Sequence, residues 1–259
     1  MLIIKKQTNR VKMIEKNKNL LKKYNEKGWV KIKSFLPKKS IIKINDSLDK
    51  FLETKIKKYS GRDINFTEKK INSFHKLADS KFVKKNLAGN KKIKKTAEYF
   101  LKEKSKFMAS ELFAKPAKYG LAVPNHQDNY YWCIDNANAL TIWIALDKVS
   151  KLNGSLCYYE KSHCVGIFKH SPSFSKGSSQ KIANNGVLKR FKKIYTNLHP
   201  GDALIHHSLI IHGSERNKSG NSRRGLTLQF RGKNSFIDLK KRKNYEKELK
   251  QQIKARKYS

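Results

Sequence analysis

The 259-residue sequence has no long hydrophobic run. No segment approaches the roughly 18 consecutive apolar residues that a transmembrane helix requires. The apolar residues Met1 to Ile4 are followed at once by Lys5 and Lys6, which leaves no apolar stretch long enough for a signal peptide. We therefore expect no membrane span, and a cytoplasmic location is the default expectation.

Cysteine is also scarce. Cys133, Cys157 and Cys164 are an odd number and form no C-x-x-C pair, which argues against a disulfide framework and against a structural zinc site. We expect three ordinary reduced thiols. Cys133 lies close enough in sequence to His126 to line a pocket near it.

Acidic residues and arginine are few, so lysine dominates the charge. The chain has 59 basic and 20 acidic residues, a formal net charge of +39, and only nine of the basic residues are arginine, the side chain suited to bidentate recognition of bases and phosphates. Residues 1–110 carry 32 basic and 10 acidic side chains, whereas residues 111–160 carry 4 and 5. A lysine-coated, solvated surface explains this distribution best, and we expect no nucleic-acid partner. Attraction to an acidic ligand or a membrane surface is the alternative.

The residue pattern changes along the chain. Residues 12–110 are predicted to be mainly helical, with Ile41, Ile42, Leu48, Phe51 and Leu52 as an apolar stripe after Pro37 and Ser40, preceded by a short strand over 28–33. From residue 107 the pattern is typical of a β-sandwich or barrel. A loop over 164–194 forms a lid or entrance wall, and the basic tail 238–259 is a surface helix or frayed. The predicted strands are 107–114, 125–132, 140–146, 155–159, 203–211 and 224–231, with a tight turn at Asn153-Gly154.

Three residues have the chemistry of a metal site. On a strand over 125–132, His126 and Asp128 point to the same face, because side chains two residues apart share a face. His212, at the end of the strand predicted for 203–211, supplies a third ligand. Two histidines and one carboxylate are the usual ligands of non-haem Fe(II) in oxygenases. The remaining histidines of this half are interpreted as structural: His163, His170, His199, His206 and His207.

Arg223 is the next candidate. From this residue onward, alternate positions are polar, whereas the positions between them are mostly apolar. Arg223 therefore faces a polar interior, where an unpaired guanidinium is costly and requires a carboxylate partner. A dicarboxylate co-substrate provides one, whereas Arg224, on the other face, is interpreted as a surface residue.

In this order and spacing, the motifs resemble the phytanoyl-CoA dioxygenase family of Fe(II)- and 2-oxoglutarate-dependent oxygenases. The resemblance covers residues 20–232. It implies a double-stranded β-helix of the cupin type, mainly β with flanking helices, in a single domain. In that domain, residues 1–106 are the mainly helical N-terminal part, 107–232 the core and 233–259 a basic tail. The stretches that carry the resemblance are Tyr24 to Phe51 including 26–30, Lys115-Pro116, His126-Gln127-Asp128, 141–147, 153–156 through Ser162-His163, 201–203 through His212-Gly213-Ser214, and Asn217 to Arg224.

The resemblance also implies the cofactors. His126, Asp128 and His212 would hold Fe(II), and Arg223 would bind the distal carboxylate of 2-oxoglutarate, with O2 as the other co-substrate. Because Asp128 is intact, hydroxylation of a C–H bond is favoured over halogenation, in which related enzymes replace this carboxylate by a small residue. Succinate and carbon dioxide are the expected co-products.

Further positions follow from the family. Ser214, Trp143 and Lys115 stand where family members contact 2-oxoglutarate. From the residues alone, Ser214 is equally a turn cap, Trp143 a core residue and Lys115 a solvated one. Glu160-Lys161 departs from the Pro-Gly that many members have before the Ser-His pair.

The substrate is predicted less sharply. Asn129, Tyr130, Tyr131 and Trp132 directly follow the ligand pair and suit a small molecule with polar and apolar parts, although strand packing explains the aromatic residues equally well. An anionic substrate is consistent with the basic surface, and a monomer or homodimer is expected. Two alternatives have a different chemistry: a basic binding protein on a cupin-like scaffold with a non-catalytic metal site, and a zinc hydrolase. The lack of an obvious general base and the presence of Arg223 disfavour the hydrolase.

Overall fold

A computed structural model describes residues 18–59 and 63–256. Met1 to Lys6, where no signal peptide is expected, and the last three residues of the basic tail lie outside the described residues. Thirteen strands, numbered β1 to β13 in chain order, form two antiparallel sheets and one hairpin within the described residues.

The larger sheet has seven strands in the spatial order β1-β11-β6-β13-β4-β3-β2. The smaller sheet has four, in the order β10-β7-β12-β5, and β8 pairs with β9. The strands are β1 Trp29–Ile32, β2 Ile64–Thr67, β3 Lys70–Phe74, β4 Ser105–Lys115, β5 Val123–His126, β6 Ala139–Ala145, β7 Leu156–Tyr159, β8 His170–Ser175, β9 Ser178–Ile182, β10 Lys193–Tyr195, β11 Ala203–His207, β12 His212–Ser214 and β13 Arg223–Gly232.

Helices pack against the larger sheet. They are α1 over residues 18–27, α2 Lys38–Lys55, α3 Lys81–Val83, α4 Lys91–Leu101, α5 Asp128–Trp132 and α6 Leu239–Arg256. The start of α4 is set by Asn90, whose side-chain oxygen accepts hydrogen bonds from the backbone N–H groups of Lys92 and Ile93, as an N-cap does.

The main hydrophobic core lies between these helices and the larger sheet. Ile41, Ile44, Leu48 and Leu52 of α2 are buried there, at intervals of three or four residues, which is the period of one helix face. Ile42 was predicted for this stripe, but it lies off that period and is 51% exposed. A second apolar cluster lies between the two sheets and includes Trp143, Tyr158 and Leu204.

Most predicted strands are observed within one or two residues, but two predictions are wrong. The strand predicted over 125–132 ends at His126, and the chain then turns into α5, so that Asp128 begins a helix. The strand predicted over 203–211 ends at His207, and a turn separates it from β12. The hairpin of β2 and β3 lies in the part predicted to be mainly helical.

The predicted turn at Asn153-Gly154 and the helix in the basic tail are confirmed. A turn occupies residues 151–154, with Gly154 at a positive φ of 82°, and residues 239–256 of the tail are a helix. The loop over 164–194 contains the β8–β9 hairpin. All three cysteines are free thiols, of which Cys164 is exposed. No helix in the described ranges is long and apolar enough to cross a bilayer.

Candidate active site

The predicted metal ligands converge between the two sheets. His126 ends β5, His212 begins the adjacent strand β12 directly opposite it, and Asp128 begins α5. The Nε2 atoms of the two histidines each lie 3.6 Å from Oδ1 of Asp128. One ligand atom from each of the three residues fits within a span of 4.8 Å, as atoms around a single ion would.

Hydrogen bonds fix which histidine nitrogens face this point. Nδ1 of His126 donates to the Pro124 carbonyl at 2.8 Å, and Nδ1 of His212 donates to the Ile210 carbonyl at 3.0 Å. Because a carbonyl oxygen only accepts, the Nε2 lone pairs are left for a metal. Burial, together with the nearby His126, lowers the pKa of His212 to about 3, so this ligand is neutral at physiological pH.

Asp128 is ionised for a related reason. Burial alone would raise the pKa of its carboxyl group, but His212, His126 and His206 outweigh burial and hold the pKa well below its usual range. The site therefore offers two imidazole nitrogens and one carboxylate. This donor set fits Fe(II).

The second oxygen of Asp128 is held by residues that sequence patterns did not single out. Oδ2 accepts a hydrogen bond from Oγ1 of Thr141 at 2.8 Å and one from Nε2 of His206 at 3.2 Å. The hydroxyl of Tyr158 then donates to Nδ1 of His206 at 2.8 Å. His206 had been interpreted as structural. The signal available for it was strand pairing, since His206 and Thr141 lie opposite each other on β11 and β6.

A second cluster, of two buried cations, lies where β13 begins. Arg223 is 1% exposed and pairs across the strands with Lys115, which is 2% exposed. Arg223 donates to the Gly154 carbonyl, whereas its Nε has no partner among the described residues. Lys115 donates to the carbonyls of Leu121 and Glu215. Burial lowers the pKa of Arg223 to about 9, and burial together with Arg223 lowers the pKa of Lys115.

This cation pair is set beside an aromatic wall. The guanidinium carbon of Arg223 lies 5.3 Å from the centre of the Trp143 ring. Gly225 makes room for that ring, because a Cβ at this position would lie 1.7 Å from Cζ2 of Trp143. Ser214 is buried at the end of β12. Within residues 18–59 and 63–256 neither cation forms an ion pair with a carboxylate, so a bound dianion would complete the cluster.

One cavity of about 490 Å³ joins the two clusters. It is lined by the three predicted metal ligands, by all four residues predicted to contact 2-oxoglutarate, and by Tyr131 and Trp132. The volume suits a small molecule. Its roof comes from the β8–β9 turn at Gly177 to Ser179 and from Tyr245, Leu249 and Ile253 of α6.

The other two predicted substrate residues lie elsewhere. Asn129 and Tyr130 line a second cavity, which Cys133 also borders. The Asn129 side chain accepts from the backbone N–H of Ile134 and donates to its carbonyl, and the Tyr130 hydroxyl donates to Glu248. All four residues lie on α5 instead of the strand predicted over 125–132, and they line two different cavities.

Comparison with known proteins identifies the family. The family model described as phytanoyl-CoA dioxygenase (PhyH) matches residues 24–225. The chain belongs to this family. It is 24% identical to human peroxisomal phytanoyl-CoA dioxygenase over 245 residues, which are 87% of this chain and 72% of that protein.

Solved structures share the fold. The epimerase SnoN in complex with Fe3+, alpha ketoglutarate and nogalamycin RO has a TM-score of 0.69 at 16% identity, over 86% of both chains. EctD from S. alaskensis with 2-oxoglutarate and 5-hydroxyectoine has a TM-score of 0.68 at 16% identity, over 82% of this chain and 74% of that one. The predicted cupin-like jelly roll is thereby confirmed. With its His-Asp-His site, this PhyH-family member is a non-haem iron and 2-oxoglutarate-dependent oxygenase.

Proposed function

We propose that this oxygenase hydroxylates an unactivated C–H bond of a small-molecule substrate. His126, Asp128 and His212 are the proposed Fe(II) ligands. The observation that carries the proposal is the combination of this triad with the buried, carboxylate-free cations Arg223 and Lys115 in one cavity. Iron and 2-oxoglutarate, when bound, supply the oxidant from O2, with succinate and carbon dioxide as co-products.

The protein residues bind and orient the co-substrate in this proposal. Arg223 receives the distal carboxylate of 2-oxoglutarate through its unpartnered Nε, and the adjacent charge of Lys115 strengthens that binding. Trp143 limits the width of the pocket beside the guanidinium, and Ser214 is positioned to contact the same ligand. Thr141 and His206 hold Asp128 so that Oδ1 faces the two histidines.

Tyr131 and Trp132 are the members of the predicted aromatic group that we propose as substrate contacts. Tyr131 is anchored, because its hydroxyl donates to the Gln180 carbonyl at 3.1 Å and also contacts Ser178. Its ring lies edge-on to His126, with 5.4 Å between the ring centres. A substrate in this cavity therefore meets a fixed aromatic surface beside the proposed iron ligand.

The decisive test is an anaerobic titration of the purified protein with Fe(II) followed by 2-oxoglutarate. A weak visible charge-transfer band is expected only when both are present. Arg223→Gln should require at least about tenfold more 2-oxoglutarate, because it removes a charged hydrogen-bond donor. The matched control is Arg224→Gln, since the neighbouring Arg224 pairs with Asp49 and Asp147.

The outcomes distinguish the functions. Folded wild-type protein without the band would refute the oxygenase site and favour the non-catalytic binding protein. Unchanged 2-oxoglutarate affinity in Arg223→Gln would refute the role of Arg223. Substrates are then screened by succinate release, and product mass separates the reactions: a hydroxylated product gains one oxygen atom, whereas an epimerised product keeps the substrate's mass.

A further inference from the structure

The cavity has a second polar wall that the proposed iron and 2-oxoglutarate sites do not use. Glu111 on β4, Gln229 on β13, Asn65 on β2 and His75 after β3 all line it. Gln229 lies on the same face of β13 as Arg223 but near the opposite end of that strand. It pairs with Thr141, whose hydroxyl binds Asp128. The polar wall is thus adjacent to the proposed iron ligands and separate from the cation pair.

The hydrogen bonds of Glu111 determine what this wall presents. Oε1 accepts from Nδ1 of His75 at 2.8 Å, and Oε2 accepts from Nε2 of Gln229 at 2.9 Å. An ionised carboxylate only accepts, so the amide nitrogen of Gln229 must face Glu111 and its amide oxygen remains an acceptor. Each carboxylate oxygen also keeps lone-pair capacity. A ligand therefore meets acceptors and negative charge.

The two carboxylate oxygens of Glu111 have partners of different kinds. His75 is its ion-pair partner, and among the described residues no lysine or arginine lies within ion-pair distance of it. Although burial lowers the pKa of His75, Glu111 outweighs burial and the pKa is raised. His75 pairs with Oε1, whereas Oε2 accepts its hydrogen bond from the uncharged amide of Gln229.

The hairpin roof closes over this wall. A Cβ at Gly177, in the β8–β9 turn, would lie 2.7 Å from Oγ of Ser73 and 3.4 Å from Nδ2 of Asn65. Ser73 and Asn65 in turn contact Nε2 of His75 at 3.1 and 3.3 Å. The turn therefore packs directly on the hydrogen-bonded network. A hydrocarbon chain placed here would remove these acceptors from water without supplying a donor.

We infer that the wall formed by Glu111, Gln229 and His75 binds the ammonium group of an amine substrate, whose carbon chain extends towards the proposed iron ligands. The inference rests on the proposed function and names its substrate class. A protonated amine donates to Oε2 of Glu111 and to the amide oxygen of Gln229, and it brings a positive charge to the carboxylate oxygen that His75 does not pair with. The lysine-rich exterior, which suggested an anionic substrate, does not describe the interior of the cavity.

The test compares three six-carbon probes: hexylammonium, 1-hexanol and hexanoate. Their dissociation constants are measured by ligand-observed NMR with protein loaded with Mn(II) and 2-oxoglutarate, and in parallel with metal-free protein. We expect hexylammonium to bind at least about tenfold more tightly than the other two. Glu111→Gln should weaken hexylammonium binding by about tenfold to a hundredfold, the effect of removing a charged hydrogen-bond partner.

Two further variants keep the test decisive. Gln229→Met removes the amide acceptor at similar volume and should also weaken hexylammonium binding, which protects the test if Glu111→Gln does not fold. Glu160→Gln is the matched control, because Glu160 is a similarly buried glutamate that pairs with Lys27 instead of lining the cavity. Its hexylammonium affinity should equal that of wild type.

Equal affinities for the three probes, or a preference for hexylammonium that survives both cavity variants, would overturn the inference. The two proposals fail separately. If the wild-type protein binds neither Mn(II) nor 2-oxoglutarate but still prefers hexylammonium, the proposed function alone is rejected. Normal binding of both without the preference would reject the amine site alone.

Discussion

Replacing His206 by leucine tests whether the hydrogen bond to the outer oxygen of Asp128 contributes to metal binding. His206 is 2% exposed and does not belong to the three ligands. Its Nε2 donates to Oδ2 of Asp128 at 3.2 Å, and Tyr158 fixes its tautomer from the other side. Leucine fills much of the same space but donates no hydrogen bond. Among the described residues, Thr141 would then be the one remaining side-chain donor to Oδ2 of Asp128.

The expected magnitude follows from this geometry. One hydrogen bond to a buried charged group is worth about 1.5–3 kcal/mol, which corresponds to roughly a tenfold to hundredfold change in an equilibrium constant. The same range is typical when a residue that orients a metal ligand is removed. We therefore expect His206→Leu to weaken Fe(II) binding by about tenfold to a hundredfold without abolishing it.

The assay is an anaerobic Fe(II) titration, with thermal unfolding measured on the same samples. His207→Leu is the matched control, because His207 is the next residue on β11 and accepts a backbone hydrogen bond from Leu209 away from the triad. If Fe(II) affinity is unchanged in His206→Leu, or falls equally in His207→Leu, the positioning role of His206 is wrong.

Two other predictions concern stability. Gly225→Ala should lower the free energy of unfolding by about 1–3 kcal/mol or more in urea titrations, because its Cβ would collide with the Trp143 ring. Gly220→Ala is the control and should be neutral, because the space around Gly220 is open. Equal effects of the two substitutions would contradict this reasoning. Burial lowers the pKa values of His170 and His207 to about 4, so the unfolded chain binds more protons between pH 6.5 and 4. The melting temperature of metal-free protein should therefore fall as the pH is lowered through that window. A flat profile would argue against neutral, buried histidines.

The convergence of His126, Asp128 and His212 was predictable from the sequence, although the local argument was partly wrong. It assumed one strand through Asp128, whereas the chain turns after His126 and Asp128 begins a helix. The three residues nevertheless converge, because the pairing of β5 with β12 brings the two histidines together. Side-chain alternation describes a continuous strand only, so it could not locate the turn.

The polar wall could not be predicted in this way. His75 directly follows β3 and Glu111 lies on β4, and the pairing of β3 with β4 brings these parts of the chain together. The hairpin of β2 and β3 lies in a segment of weak periodicity, where hydrophobic spacing gives little signal. Contacts of this kind depend on tertiary packing, and the roof formed by α6 has the same origin.

The cavity has a part on the core sheets and a part on the roof, and substitutions in these two parts are expected to have different effects. The proposed iron ligands and the Arg223 cluster stand on the two core sheets and the short helix beside them, whereas the β8–β9 turn and α6 cover the opening. These two roof elements are tied to α5 and to each other by side-chain contacts, such as Tyr130 with Glu248 and Ser179 with Tyr245. Exchanging roof residues such as Leu249 or Ile253 would therefore reshape substrate access while leaving the chemistry intact. This makes the roof the natural target for redesigning selectivity.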